Sequence, residues 1–184
     1  MEYLADQELN EHLCLRAAGQ LGMRVAHSEV MTFGAERAIV LERYDRIVTE
    51  DGAVLRVHQE DICQALAVYP ARKYQREDGG PGATDVIDTL RTHLPPTQSR
   101  GAVETFCPAL AYNWVIYGPD APAKNYSLLL SGTSVRLAPL YDILSVVPYP
   151  DRFNLRTMAM AMAINGSIET PRSPVRTGRH LQTG

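Results

Sequence analysis

The stretch from about residue 98 to residue 142 constrains this chain more than any other. Val103, Phe106, Cys107, Leu110, Trp114 and Tyr117 recur at helical spacing and trace one apolar face, so the segment from about 98 to 117 reads as a long helix laid on a core. Trp114 reads as a core residue on that face rather than as a ligand platform. A polar turn follows, Gly118-Pro119-Asp120-Ala121-Pro122-Ala123-Lys124-Asn125, and then two short apolar runs, 126–130 and 134–137, flank Gly132 as a hairpin. A helix leading in and a hairpin leading out would bring Asp120 and the later acid of Leu140-Tyr141-Asp142-Ile143 to one cleft, although they are far apart in sequence.

Those residue types have a chemical meaning at that spacing. In protein kinases one Asp orients the acceptor hydroxyl, an Asn on the same loop holds a metal ion, and a separate Asp grips Mg²⁺ against the ATP phosphates. Asp120-x4-Asn125 reproduces the first pair and Asp142 supplies the third group. The spacing by itself also describes a solvated turn capped by polar side chains.

The rest of the chain is less explicit. Leu9, Leu13, Ala17 and Leu21 recur at four-residue steps before Gly22, which predicts an amphipathic helix over 6–21. Runs at 28–33 and 38–44 around Gly34-Ala35 read as a β-hairpin, and a third short run, 53–57, follows the Asp51-Gly52 turn. From Gln59 onward the character becomes helical, with His58 expected as a structural histidine beside a helix start at Gln59-Glu60-Asp61. Gly79-Gly80-Pro81-Gly82 is not read as a phosphate cradle, because no Lys-Ser/Thr follows it between a strand and a helix.

Composition sets the limits. The 184 residues are 45% hydrophobic, enough for one domain or a compact pair. Net charge is −3, from 18 basic and 21 acidic residues spread along the chain, and no basic stripe points to direct nucleic-acid binding. Cys14, Cys63 and Cys107 lie far apart in apolar surroundings and are expected as reduced thiols, Cys63 and Cys107 packing as small hydrophobes. With no leader-like start and no apolar stretch near the ~20 residues of a membrane span, a cytoplasmic protein is the expectation.

The loop from Asn113 to Ser127 resembles the catalytic loop of the HipA family of bacterial toxin kinases, Asn-Trp-Leu-Ile-Gly-Asn-Thr-Asp-x-His-x-Lys-Asn-x-Ser. Three further stretches fit that family in order: Leu41-Glu42-Arg43-Tyr44-Asp45-Arg46, then His58 to Gln64 with Lys73-Tyr74 and Gly79-Gly80-Pro81, and finally Ala138-Pro139-Leu140-Tyr141-Asp142. The resemblance covers roughly residues 8 to 167. It implies an α+β, protein-kinase-like fold with a mostly helical C-lobe and a remnant β-hairpin of the N-lobe. Residues 1–46 would be the N-lobe remnant and hinge, and 47–168 the kinase C-lobe. Residues 169–184 turn polar, with Val175 and Leu181 their only large aliphatics, and are expected as a disordered tail.

The resemblance also implies an activity: a serine/threonine kinase that transfers the γ-phosphate of Mg-ATP to a protein serine. Such a kinase would act as the toxin of a type II toxin–antitoxin pair and bind a HipB-like DNA-binding antitoxin. Asp120 would be the catalytic base, and Asn125 and Asp142 would hold Mg²⁺. Glu42, Arg43, Tyr44, Pro122, Ala123, Lys124, Asn125 and Tyr141 would form the ATP site, with Lys124 either neutralising phosphate charge or standing as a solvated loop lysine.

Two departures qualify the implication. The family's loop histidine is Pro122 here, and the only lysines are Lys73 and Lys124, so no N-lobe lysine is present. The expectation is a kinase truncated at both ends. Two other classes stay open: a non-catalytic pseudokinase acting as a binding module or without function, and a metal-dependent phosphohydrolase built on Asp120 and Asp142.

Overall fold

A computed structural model describes residues 4–164 and the strand Ser167–Glu169. Helix α1 (Gln7–Gln20) leads into an antiparallel hairpin of β1 (Ser28–Phe33) and β2 (Glu36–Leu41), with Ser28 opposite Leu41. A smaller hairpin, β3 (Arg46–Val48) with β4 (Val54–Arg56), follows. Strand β5 (His58–Asp61) runs into the short helix α2 (Ile62–Ala65), and then come α3 (Gln75–Asp78), α4 (Ala83–His93) and α5 (Pro96–Val115). Strands β6 (Ser127–Ser131) and β7 (Ser134–Leu137) complete an antiparallel sheet in the order β5-β6-β7, and β8 (Ala159–Ile164) pairs with β9 (Ser167–Glu169).

The core lies between the helices and the three-stranded sheet. Phe106 is fully buried and meets Tyr126 edge to face, with ring centroids 4.9 Å apart. Val86 and Leu90 of α4, Leu15 of α1, Ile62 and Met162 close around it. Burial on this scale removes roughly 1.5–3 kcal/mol of apolar exposure per large side chain. Helix α1 is tied to α5 by the Tyr112 hydroxyl, which donates to the Cys14 carbonyl at 2.8 Å.

The long helix and both hairpins form where periodicity placed them, although β2 ends at Leu41 rather than at residue 44. Three expectations are corrected. Leu9, Leu13, Ala17 and Leu21 of the α1 region are all exposed, and the buried stripe is Asn10, Cys14, Leu15 and Ala18. Small residues let α1 approach the core closely, and Asn10 is admitted because it is hydrogen-bonded: its Nδ2 donates to the Ser145 carbonyl at 2.7 Å, and its Oδ1 accepts from the Ser145 N–H at 3.2 Å.

Second, residues 58–61 are a strand, not a helix start. Their pairing with leucine-rich β6, His58 opposite Leu130 through Asp61 opposite Ser127, overrides a polar sequence. Helix α2 begins only at Ile62, where Asp61 accepts from the Gln64 N–H at 2.8 Å and Gln64 Oε1 accepts from the Asp61 N–H at 2.9 Å. His58 is exposed beside Glu60, at 3.3 Å. Third, Cys107 is exposed, whereas Cys14 and Cys63 are buried. The interior also holds an acid that periodicity does not announce. Asp45 is 1% exposed, and it accepts from Arg43 at 2.7 and 2.6 Å and from Arg46. Of the expected tail at 169–184, Glu169 ends strand β9, and residues 170–184 lie outside the described residues.

Candidate active site

The turn that carries Asp120 is set by the end of α5. Tyr117 adopts a positive φ of 54°, and Gly118 donates to the Asn113 carbonyl at 2.8 Å. A side chain at Gly118 would place its Cβ 2.9 Å from Asn113 Oδ1 and 3.0 Å from the Leu144 carbonyl, so only glycine fits where the turn crosses the segment after Asp142.

Asn125 is the joint of the site. Buried beneath the loop, its Nδ2 donates to Asp142 Oδ2 at 3.0 Å and to the Asp120 carbonyl at 3.1 Å. One amide thus fixes the Asp120 loop against the Asp142 side chain. Asp142 itself holds a φ of 55°, a left-handed conformation that Asp and Asn adopt more readily than other non-glycine residues but that still costs energy. Burial, then the nearby Asp120 charge, pushes its carboxyl upward, while Lys73 and the Asn125 hydrogen bond pull it back.

Two open cavities meet at Asp142. One, of about 460 Å³, is walled by Leu41, Glu42, Arg43, Tyr44, Gln59 and Tyr141 and reaches Asp142 from the connection between β2 and β3, the expected hinge. Tyr44 and Tyr141 stack there, centroids 5.9 Å apart, and the Tyr141 hydroxyl lies 2.6 Å from Ser127 Oγ. The other, of about 530 Å³, holds Asp120 and Asp142 against an apolar wall that includes Phe153 and Met160. The Asp120 carboxylate projects into it with 61% of its side chain exposed, accepting from the Tyr74 hydroxyl at 2.8 Å with Lys73 Nζ at 3.4 Å.

Other expected site residues are placed differently. Lys124 neither hangs in solvent nor faces Asp120: its ammonium is bound to Asp61 at 2.7 Å. Pro122 and Ala123 are buried, so their side chains offer a ligand no surface. Arg43 borders the hinge cavity, but its guanidinium is committed to Asp45.

Two features had no distinct signal in the sequence. Glu11 of α1 lines the hinge cavity, where burial, and secondly the Asp142 charge, raises its carboxyl to about 7. A carboxyl raised in the folded state favours folding at low pH and loses that contribution as pH rises from its ordinary value of 4.5 through about 7. Glu11→Gln is therefore expected to melt close to the parent at pH 5 and about 2–4 °C higher at pH 8, read from thermal melts at the two values. The other is the place of the Lys73-Tyr74 segment. Gly80 N–H donates to the Tyr74 carbonyl at 2.9 Å, and a Cβ on Gly80 would stand 2.2 Å from the Arg72 carbonyl, so the glycines do hold this strip over Asp120.

The fold is kinase-like, and comparison with known proteins gives the family. The sequence matches the HipA-like C-terminal domain over residues 2–182, and the chain belongs to that family. It is 41% identical over 144 residues to the putative kinase Y4mE of Sinorhizobium fredii, covering 77% of this chain and 33% of that protein. It is 31% identical over 169 residues to the serine/threonine-protein kinase toxin HipA of Shewanella oneidensis, covering 88% and 38%. Among solved structures, the Shewanella oneidensis complex of HipA, HipB and operator DNA matches with a TM-score of 0.74 at 29% identity, over 92% of this chain and 41% of that one. The Helicobacter pylori proinflammatory kinase CtkA shares the fold at a TM-score of 0.53 and 12% identity, over 74% and 45% of the two chains. The chain thus spans between a third and a half of the length of these relatives.

Proposed function

We propose that this chain forms the ATP-facing and catalytic part of a HipA-like serine/threonine protein kinase, the toxin of a toxin–antitoxin pair. The observation that carries the reading is the shared wall at Asp142: the hinge cavity can take the adenine end of a nucleotide, and the adjoining cavity presents Asp120 where the far phosphate would emerge. Glu42, Tyr44 and Tyr141 border the nucleotide end, and Asn125 and Asp142 stand at the junction.

The donor set fits Mg²⁺, a hard cation held by one or two carboxylates together with substrate phosphates. Asp142 offers carboxylate oxygen, and the Asn125 amide, turned about, offers its oxygen in the same place. When bound, the ion would neutralise charge on the β- and γ-phosphates. No group of three or more His, Cys, Asp or Glu side chains suited to caging a metal occurs among the described residues, which favours a phosphate-shared ion over a phosphohydrolase centre.

In the proposed step the serine oxygen attacks the γ-phosphorus as the bond to the β,γ-bridging oxygen breaks. Asp120 accepts the serine proton, and ADP leaves with the bridging oxygen. HipA of Shewanella oneidensis is seen with HipB and operator DNA, and by analogy the partner here is a HipB-like antitoxin.

Label transfer from γ-labelled Mg-ATP to host proteins tests the reading. Phosphoserine formed by the parent and reduced about 10³-fold or more by Asp120→Asn is the expected result. Phosphate release from small esters without protein labelling would indicate the hydrolase. Nucleotide binding without transfer would indicate the binding module.

A further inference from the structure

The reading above leaves Lys73 without a task, and its surroundings give it one. Its ammonium lies 3.4 Å from Asp120 Oδ1 and 4.6 Å from the centre of the Tyr74 ring, whose hydroxyl donates to that same oxygen at 2.8 Å. The loop's own lysine cannot serve there as placed, because Lys124 is held at 2.7 Å by Asp61, and the neighbouring Pro122 is buried and has no polar side-chain atom. Lys73 is the chain's other lysine, with 28% of its side chain exposed, so its end is accessible to a ligand.

We propose that Lys73 is a catalytic residue that binds the γ-phosphoryl group of the nucleotide. The proposal rests on the kinase reading. An acceptor hydroxyl bound to Asp120 would lie between that carboxylate and the γ-phosphorus, within reach of a flexible ammonium already beside Asp120. Without nucleotide, Lys73 rests against Asp120. With nucleotide it exchanges one carboxylate for a more highly charged phosphate, and Tyr74 keeps its hydrogen bond to Oδ1 while Oδ2 faces the serine proton. A separate strip, braced by Gly80, would thus supply the phosphate-binding cation that the loop commits to Asp61.

Calorimetric titration of the chain with Mg-ATP and, separately, Mg-ADP tests this, because only ATP carries the group that Lys73 would bind. Lys73→Met is expected to weaken Mg-ATP about tenfold or more and to leave Mg-ADP within about twofold, with Lys73→Arg close to the parent for both. Thermal melts check folding. Should the Met variant not fold, Lys73→Gln reads the same ATP-against-ADP difference. Equal losses for both nucleotides, or no loss for either, would overturn the proposal and leave Lys73 as a structural partner of Asp120, with the kinase reading intact. A folded parent chain that binds neither nucleotide would overturn both.

Discussion

Asp142→Asn is expected to lower Mg-ATP affinity about a hundredfold while leaving the fold in place. The side chain stands where the two cavities join, and in the proposed reading its carboxylate shares an ion with the phosphates. Asn keeps the shape and the Asn125 contact but loses the charge. It is also the right substitution for the backbone: at a φ of 55° Asn is among the residues that tolerate the left-handed region, whereas Ala would add strain and confuse binding with stability. Calorimetry at fixed Mg²⁺, with thermal melts of both proteins, separates the two effects. Burial already pushes the Asp142 carboxyl upward, so metal-dependent binding by the parent should weaken as pH falls towards the carboxylate range, and the variant should lose that dependence.

The second large effect is on stability. Asp45→Ala is expected to cost about 3 kcal/mol, lowering the melting temperature by about 6–12 °C. Asp45 is buried between two arginines, and the substitution leaves both guanidiniums without their partner. Arg43 is 65% exposed and can turn to water, which keeps the cost near the low end of the range for a broken buried pair, while Arg46, 33% exposed, has less freedom. The Arg43 hydrogen bonds chiefly, opposed by burial and helped by Arg46, hold the Asp45 carboxyl down to about 2. A depressed acid stabilises the fold above its ordinary value of 3.8 and loses that contribution as pH falls through about 2. The parent should therefore lose stability over that window, and Asp45→Ala should lose less of it. Because Arg43 and Tyr44 border the hinge cavity, the variant should also weaken nucleotide binding in chain that remains folded.

What the sequence made legible was local. Helix α5 and the β6–β7 hairpin follow from apolar spacing and a turn signal, and the Asp120-x4-Asn125 loop follows from where they end. The convergence of Asp120, Asn125 and Asp142 was readable for the same reason. The misses depend on partners distant in the chain. Strand β5 is polar and takes its conformation from β6. The face that α1 buries is decided by Asn10 meeting Ser145, while its more obvious leucine stripe is exposed. Glu11, one residue on, reaches the cleft through the same docking. Lys124 departs from its expectation for an equally non-local reason: Asp61, placed by β5, takes it, and the Gly80 crossing brings Lys73 to Asp120 instead. Charge pairing of this kind leaves no periodic trace in sequence.

In the proposed reading this chain builds a nucleotide cleft whose two halves meet at Asp142. Calorimetric titration of residues 1–184 with ATP, in Mg²⁺ and again in chelator, tests it most directly. Saturable one-to-one binding that requires the metal and is competed by ADP is the expected result. A chain that melts cooperatively, and so is folded, yet gives no heat of binding in Mg²⁺ would contradict it.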